Sequence, residues 1–189
     1  MKKYLCAIAC LFALSASAQI AEVGKPELVR GTRHSAAIQQ GAKSSVDVRT
    51  EGSQLIISRN GVEKSYTPVE SVSGYIWASV SPDNTKIVFF SGAKGLIVTD
   101  LEGNILSRPG KYEAPSWFGN NHLVVQNATD DGHQLHSSQI LLITLDGKQT
   151  QSLTAPESMT MEPEGDAESC TVWFTTIDGL NYRQSVKLK

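Results

Sequence analysis

The sequence predicts an all-β chain assembled from a repeated sheet unit, and three observations predict it. After residue 19 no segment keeps a helical period over three turns. Short runs rich in Val, Ile, Thr, Phe and Leu recur instead, at 45–50, 54–58, 62–66, 86–90, 96–101, 122–126, 140–145, 171–176 and 181–188. Clusters of Gly, Asn, Asp and Pro punctuate them. Asn60-Gly61 predicts a two-residue type I′ hairpin, because that turn needs positive φ at both central positions. Asp178-Gly179 lies between two strand runs and reads the same way, and Asp131-Gly132 and Asp146-Gly147 are further turns. The least regular part is 24–44, where 27–30 and 36–39 read as short strands, or 35–40 as one helical turn.

Length and composition set the class. The 189 residues suffice for one domain with a real core. With 40% hydrophobic and 19% charged residues the chain is not of the disordered type. Lys and Arg total 17 against 19 Asp and Glu, a net charge of −2, which argues against nucleic acid as the partner.

Residues 1–18 read as an export signal. Lys2 and Lys3 precede an apolar run of 11 residues from Tyr4 to Leu14, and Ser15-Ala16-Ser17-Ala18 fits an A-x-A cleavage site. The run is too short for a bilayer, which takes about 20 residues. A lipid-modified Cys10 does not fit, since Ala7 stands where such sites carry a Leu-like residue. Cleavage removes two lysines, leaving 15 basic against 19 acidic residues, a net charge of −4. Cys6 and Cys10 leave with the signal, so Cys170 stays alone and no internal disulfide holds the mature chain. No later apolar stretch is long enough to span a membrane as a helix.

An internal repeat organises the remainder. Val80-Ser81-Pro82-Asp83-Asn84 leads into Ile87–Phe90, and Ile97–Thr99 into Asp100-Leu101-Glu102-Gly103. Pro115-Ser116-Trp117-Phe118-Gly119-Asn120-Asn121 leads into Leu123–Val125, and Ile140–Leu145 into Asp146-Gly147. Met161–Asp166 precedes Val172–Thr175 and Asp178-Gly179. Position 80 maps to 117 and 117 to 161, steps of 37 and 44. A period of about 40 residues with three or four short strands is the signature of a propeller blade. The unit resembles the WD-like β-propeller repeat of the TolB family. There a Trp-Ser-Pro-Asp-Gly turn precedes an apolar strand, and an Asp-Leu-Asp-Gly turn ends the third strand. The resemblance covers about residues 74–189, roughly 60% of the chain.

The implied fold is a β-propeller-like array of about four blades of short antiparallel strands, with units at 44–73, 74–113, 114–157 and 158–189. The chain stops after the third strand of its last unit. The N-terminal segment at 19–43, somewhere within 19–40, is therefore expected to supply the missing outer strand and cover an exposed edge.

The candidate contact residues are Asp130, Asp131, His133 and His136, together with Trp77 and Trp117. The first four carry metal-ligand chemistry, but their place in a hairpin with an Asp-Gly turn reads better as a solvated loop able to meet a partner. The tryptophans either ring a binding mouth, with Trp173, or pack between blades. Glu162, Glu164, Asp166 and Glu168 would share one face if extended, as a calcium site wants, but the repeat places 163–166 in a turn before a strand. Inter-strand loops at 81–85, 108–114, 128–138 and 155–168 are the candidate contact surface. Cys170 has no base beside it in sequence, and there is no G-x-S-x-G or H-E-x-x-H. Gly103…Gly110-Lys111 has six intervening residues rather than four and lacks the following Ser or Thr of a phosphate loop. No cofactor and no metal is expected.

The resemblance implies a non-enzymatic binding or scaffold protein, periplasmic or extracellular, with a protein partner in the bacterial envelope. The alternatives are a small-ligand or glycan binder using rim aromatics, and an accessory module of an envelope enzyme.

Overall fold

The computed structural model describes residues 19–30 and 46–189. The signal segment at 1–18 and the short strand or turn expected within 35–40 lie outside the described residues. The described chain forms β1 (Ala21–Val23), β2 (Glu27–Val29), β3 (Val46–Glu51), β4 (Gln54–Arg59), β5 (Val62–Tyr66), β6 (Tyr75–Val80), β7 (Lys86–Ser91), β8 (Gly95–Asp100), β9 (Ile105–Gly110), β10 (Glu113–Phe118), β11 (His122–Asp130), β12 (Leu135–Thr144), β13 (Thr150–Ser152), β14 (Thr160–Asp166), β15 (Thr171–Thr176) and β16 (Asn181–Leu188). They pair antiparallel into four consecutive blades: β3-β4-β5, β6-β7-β8-β9, β10-β11-β12-β13, and β14-β15-β16. The last is completed by β1 and β2, which both lie on β16, with Val23 opposite Val186 and Glu27 opposite Arg183. The N-terminal segment therefore supplies the outer strand of the final blade. It is split around Gly24-Lys25-Pro26, where proline cannot donate to the ladder.

Side-chain alternation decides which faces meet. In β7 and β8 the runs Ile87-Val88-Phe89 and Leu96-Ile97-Val98 are fully buried on both sides of the sheet. Ile87, Phe89 and Ile97 pack on Val46, Leu55 and Ile57 of blade 1. Val88, Leu96 and Val98 point the other way, onto Leu123, Val125, Leu141 and Ile143 of blade 3. Blade 3 repeats the arrangement, turning Val124, Ile140 and Leu142 to Val172, Phe174 and Val186 of blade 4. A strand buried on both faces reads as a continuous apolar run, which is what these segments show. The last blade alternates instead: β15 buries Val172 and Phe174 but leaves Trp173 half-buried, and β16 buries Gln184 and Val186 between exposed Arg183, Ser185 and Lys187.

The innermost strands are where expectation and structure part. β6, β10 and β14 begin the three four-stranded units, and β10 runs alongside β14 while β6 runs alongside β3. Each carries a register shift, at Tyr75/Trp77, Glu113/Ser116 and Met161/Glu164. The Glu and Pro of β10 and the Glu, Pro and Gly of β14 hide those two from strand patterning. Residues 113–118 and 160–166 are strands and β9 runs to Gly110, although the loop expectation included 108–110, 113–114 and 160–166. The turn of the last unit lies later, at 167–170. The shift also breaks the period-2 argument for Glu162 and Glu164, because Glu162 adopts φ 53°.

Two local devices complete the frame. Asn60 and Gly61 take φ 50° and 80°, the type I′ signature, whereas at Asp178-Gly179 only the glycine is positive, at 79°. The second turn is a longer loop in which Gly179 N donates to Thr176 O and Thr176 N to Leu180 O, so the I′ expectation fails there. Gly165 sits where blade 4 approaches blade 3 most closely: a Cβ there would lie 2.6 Å from the Trp117 carbonyl.

Candidate interaction surface

The shared order of blades 2 to 4 gives the molecule two unlike rims. At one, called the lower rim, the innermost strands end; at the other, the upper rim, they begin. Short turns close the lower rim, and carboxylates lock four of them. Asp83 accepts from Ser81 Oγ at 2.6 Å, Thr85 Oγ1 at 2.7 Å and Thr85 N at 3.2 Å, with Lys86 Nζ at 3.3 Å. Partial burial works against its charge, but these donors and the ammonium outweigh burial and bring the carboxyl down to about 2. Asp100 accepts from Asn104 N and Glu102 N, both at 2.9 Å, and Asp146 accepts from Thr144 Oγ1 at 2.7 Å. Asp166 holds the turn of the last blade through Ser169 Oγ at 2.6 Å. Side chains engaged in this way are turn-forming groups.

The upper rim is built differently. Its links are the stretches at 67–74 and 153–159, the short links at 92–94 and 111–112, and the turns at 131–134 and 177–180. Large apolar side chains are exposed at or beside it: Leu28, Val72, Ile76, Trp77, Ile177 and Leu180, with Ile76 at 66% and Ile177 at 62%. The three other large apolar side chains exposed among the described residues, Val62, Ile105 and Leu106, stand beside the lower rim, at the starts of the outer strands β5 and β9.

The predicted residues distribute unevenly over this surface. Asp130, Asp131, His133 and His136 stand exposed at the tip of the β11–β12 hairpin, as expected. The hairpin is more ordered than a loop, since the ladder continues to Asp130 opposite Leu135. Its carboxylates are already engaged: Asp130 accepts from Gly132 N at 2.9 Å, and Asp131 from His133 N at 2.9 Å and Gln134 N at 2.8 Å. His136 Nε2 lies 3.1 Å from Asp131. The backbone donors of Gln134 and His133, then His136, hold the Asp131 carboxyl below its ordinary value. Among the described residues no group of three or more His, Cys, Asp or Glu is placed to hold a metal ion. Below the tip, Ser138 is buried and donates to the Thr160 carbonyl at 2.5 Å, which fixes the hairpin base to blade 4.

The tryptophans separate. Trp77 is 36% exposed at the start of β6 and remains a surface residue. Trp117 is a correction: at 8% exposure it packs with Val88, Leu123 and Leu141 between blades 2 and 3, so it cannot touch a partner. The repeat spacing could not distinguish them, because both precede the second strand of a blade and only the stacking sets which one is enclosed. Sequence reasoning missed Val72, Ile177 and Leu180 because a single apolar residue in a link carries no pattern, and Ile76 because it stands at the start of a strand that carries a register shift.

Comparison with known proteins supports the architecture. No family model matches the sequence, and no curated protein matches it. Among solved structures, TolB from Acinetobacter baumannii is similar at 18% identity and a TM-score of 0.52, over 76% of this chain and 40% of that one. The tricorn protease aligns at 14% identity and a TM-score of 0.53, over 70% of this chain and 14% of that one. The β-propeller domain of Cps50 (Swd1) from Myceliophteria thermophila aligns at 7% identity and a TM-score of 0.52, over 86% and 58%. The chain thus spans less than two thirds of each of these structures. At these identities the likeness establishes the fold, an array of β-propeller blades.

Proposed function

We propose that the chain is a non-enzymatic binding protein that docks a protein partner on its upper rim, and that it is exported to the periplasm by residues 1–18. The observation that carries the reading is the contrast between rims. Six of the nine large apolar side chains exposed among the described residues, Leu28, Val72, Ile76, Trp77, Ile177 and Leu180, stand at or beside the upper rim. Exposed apolar residues concentrated in this way mark interaction sites. The resemblance of the repeat to TolB favours an envelope partner. No helix among the described residues is long and apolar enough to cross a membrane.

Photo-crosslinking in the host tests the proposal. A benzoylphenylalanine at Ile76 or Ile177 is expected to give a discrete protein adduct, and the same group at Asn121 on the lower rim none. The adduct is expected to disappear on Trp77→Glu. Equal labelling from both rims, or none from the upper one, would overturn the assignment.

A further inference from the structure

The outer edges of the blades are not equally protected. β9 carries Pro109, β13 has three residues, and the β1–β2 edge is split around Pro26. Each is a standard way to keep an edge from pairing with another chain. β5 differs. It ends the order β3-β4-β5, and because β3 is the strand beside β6, β5 lies farthest from the neighbouring blade's inner strand. It pairs with β4 in continuous register from Val62 to Tyr66, with no proline and no bulge. Among the described residues its other side has no strand partner.

A groove of about 260 Å³ lies along the same strand. Val62, Lys64 and Tyr66 line it from β5, Ile57 and Arg59 from β4, and Glu102 from the turn of blade 2. The alternation that puts Val62, Lys64 and Tyr66 on the groove side turns Glu63 away, where its carboxylate meets Arg49 at 2.5 Å. Arg59 is neutralised by Glu102 at 2.6 Å. Lys64 is the groove cation with no ion pair among the described residues.

We propose that β5 accepts an added strand from another protein, an extended segment whose groove-facing residues run apolar, acidic, apolar against Val62, Lys64 and Tyr66. A free edge beside a side-chain groove is the arrangement that strand addition uses: main-chain bonds give affinity and alternate side chains give selectivity. Charge selects the occupant. A second copy is disfavoured, because the two-fold register that pairs all five residues sets Lys64 opposite its own copy. Residues 31–45 are disfavoured as well, since they carry Arg33 and Lys43 and no carboxylate.

The test uses the full chain and two fluorescein-labelled decapeptides of alternating Thr, one with groove-facing Val-Glu-Val and one with Val-Lys-Val. Fluorescence polarisation is expected to show saturable binding of the Glu peptide, and binding of the Lys peptide several-fold to about tenfold weaker. The exposed substitution Lys64→Glu is expected to reverse that preference. Amide exchange is expected to show part of 62–66 exchanging freely in the unliganded chain and protected on adding the Glu peptide. No saturable binding up to about 1 mM, or no reversal with Lys64→Glu, would overturn the proposal. So would a β5 already fully protected in a monomer, which means its own chain covers it, or a concentration-dependent dimer that Lys64→Glu changes.

Discussion

Blades 2 and 3 each pack between two neighbours, whereas blades 1 and 4 each pack on one among the described residues. In blade 2, Ile87 and Phe89 face one neighbour and Val88 the other, all fully enclosed. In blade 4, Val172 and Phe174 face blade 3, while Trp173 looks outward beside Arg183 and Glu164. The outward face of blade 1 carries Asp47, Arg49 and Glu63 around buried Ile56, which stands opposite Arg49 in the ladder. The three described cores join blade 1 to 2, 2 to 3 and 3 to 4, and none joins blade 4 to blade 1. The inner pair of blades therefore holds the assembly together. The outer pair is free to carry polar faces, an open edge and the chain's own N-terminal strand.

Truncations should break this comparison most strongly if it is wrong. Leu142→Ala or Ile97→Ala is expected to cost about 2–5 kcal/mol, because each leaves a cavity at a fully buried site, whereas Trp173→Ala should cost less than about 1 kcal/mol. Urea unfolding midpoints would show the difference. Equal losses would mean that the outward face of blade 4 is covered.

The close approach of blades 3 and 4 gives the next effect. Gly165→Ala pushes a Cβ into the Trp117 carbonyl and should cost about 1–3 kcal/mol in thermal unfolding. Full tolerance would show that the inner strands can part without loss.

A smaller effect is expected where the N-terminal strand is fastened. Gln151 accepts from Ala21 N at 2.8 Å and donates from Nε2 to Ala21 O at 2.9 Å, linking β1 to blade 3. Gln151→Ala should cost about 1–2 kcal/mol. Amide exchange should accelerate in β1 and leave β8 unchanged.

A pH-dependent effect separates a locked turn of blade 2 from the Gly52-Ser53 turn of blade 1, which has no carboxylate. Asp83 is depressed from 3.8 to about 2, so its contribution is present above pH 3.8 and lost as pH falls through about 2. The stability gap between the wild-type chain and Asp83→Asn should be constant from neutral pH to about 4 and shrink below it. A gap unchanged at pH 2 would mean that the carboxylate charge contributes nothing to the turn.

The candidate surface was only partly legible. Asp130, Asp131, His133 and His136 were found because an Asp-Gly turn between strand runs marks a hairpin whatever surrounds it. Trp117 was misassigned because its exposure depends on blade 3 meeting blade 2. Val72 and Ile76 were missed for the converse reason: nothing local says that a neighbour fails to cover them.

By itself the sequence determined most of the strands and the position of most turns, because apolar runs and φ preference act within a few residues. Only the tertiary structure decided which tryptophan is enclosed, how the innermost strands are shifted by their bulges, and which edge stays open. Those outcomes depend on sheets that meet across long stretches of chain. β1 shows the dividing line. Its three residues carry almost no strand signal, and they become a strand because β16 offers an edge and Gln151 a side chain to hold them there.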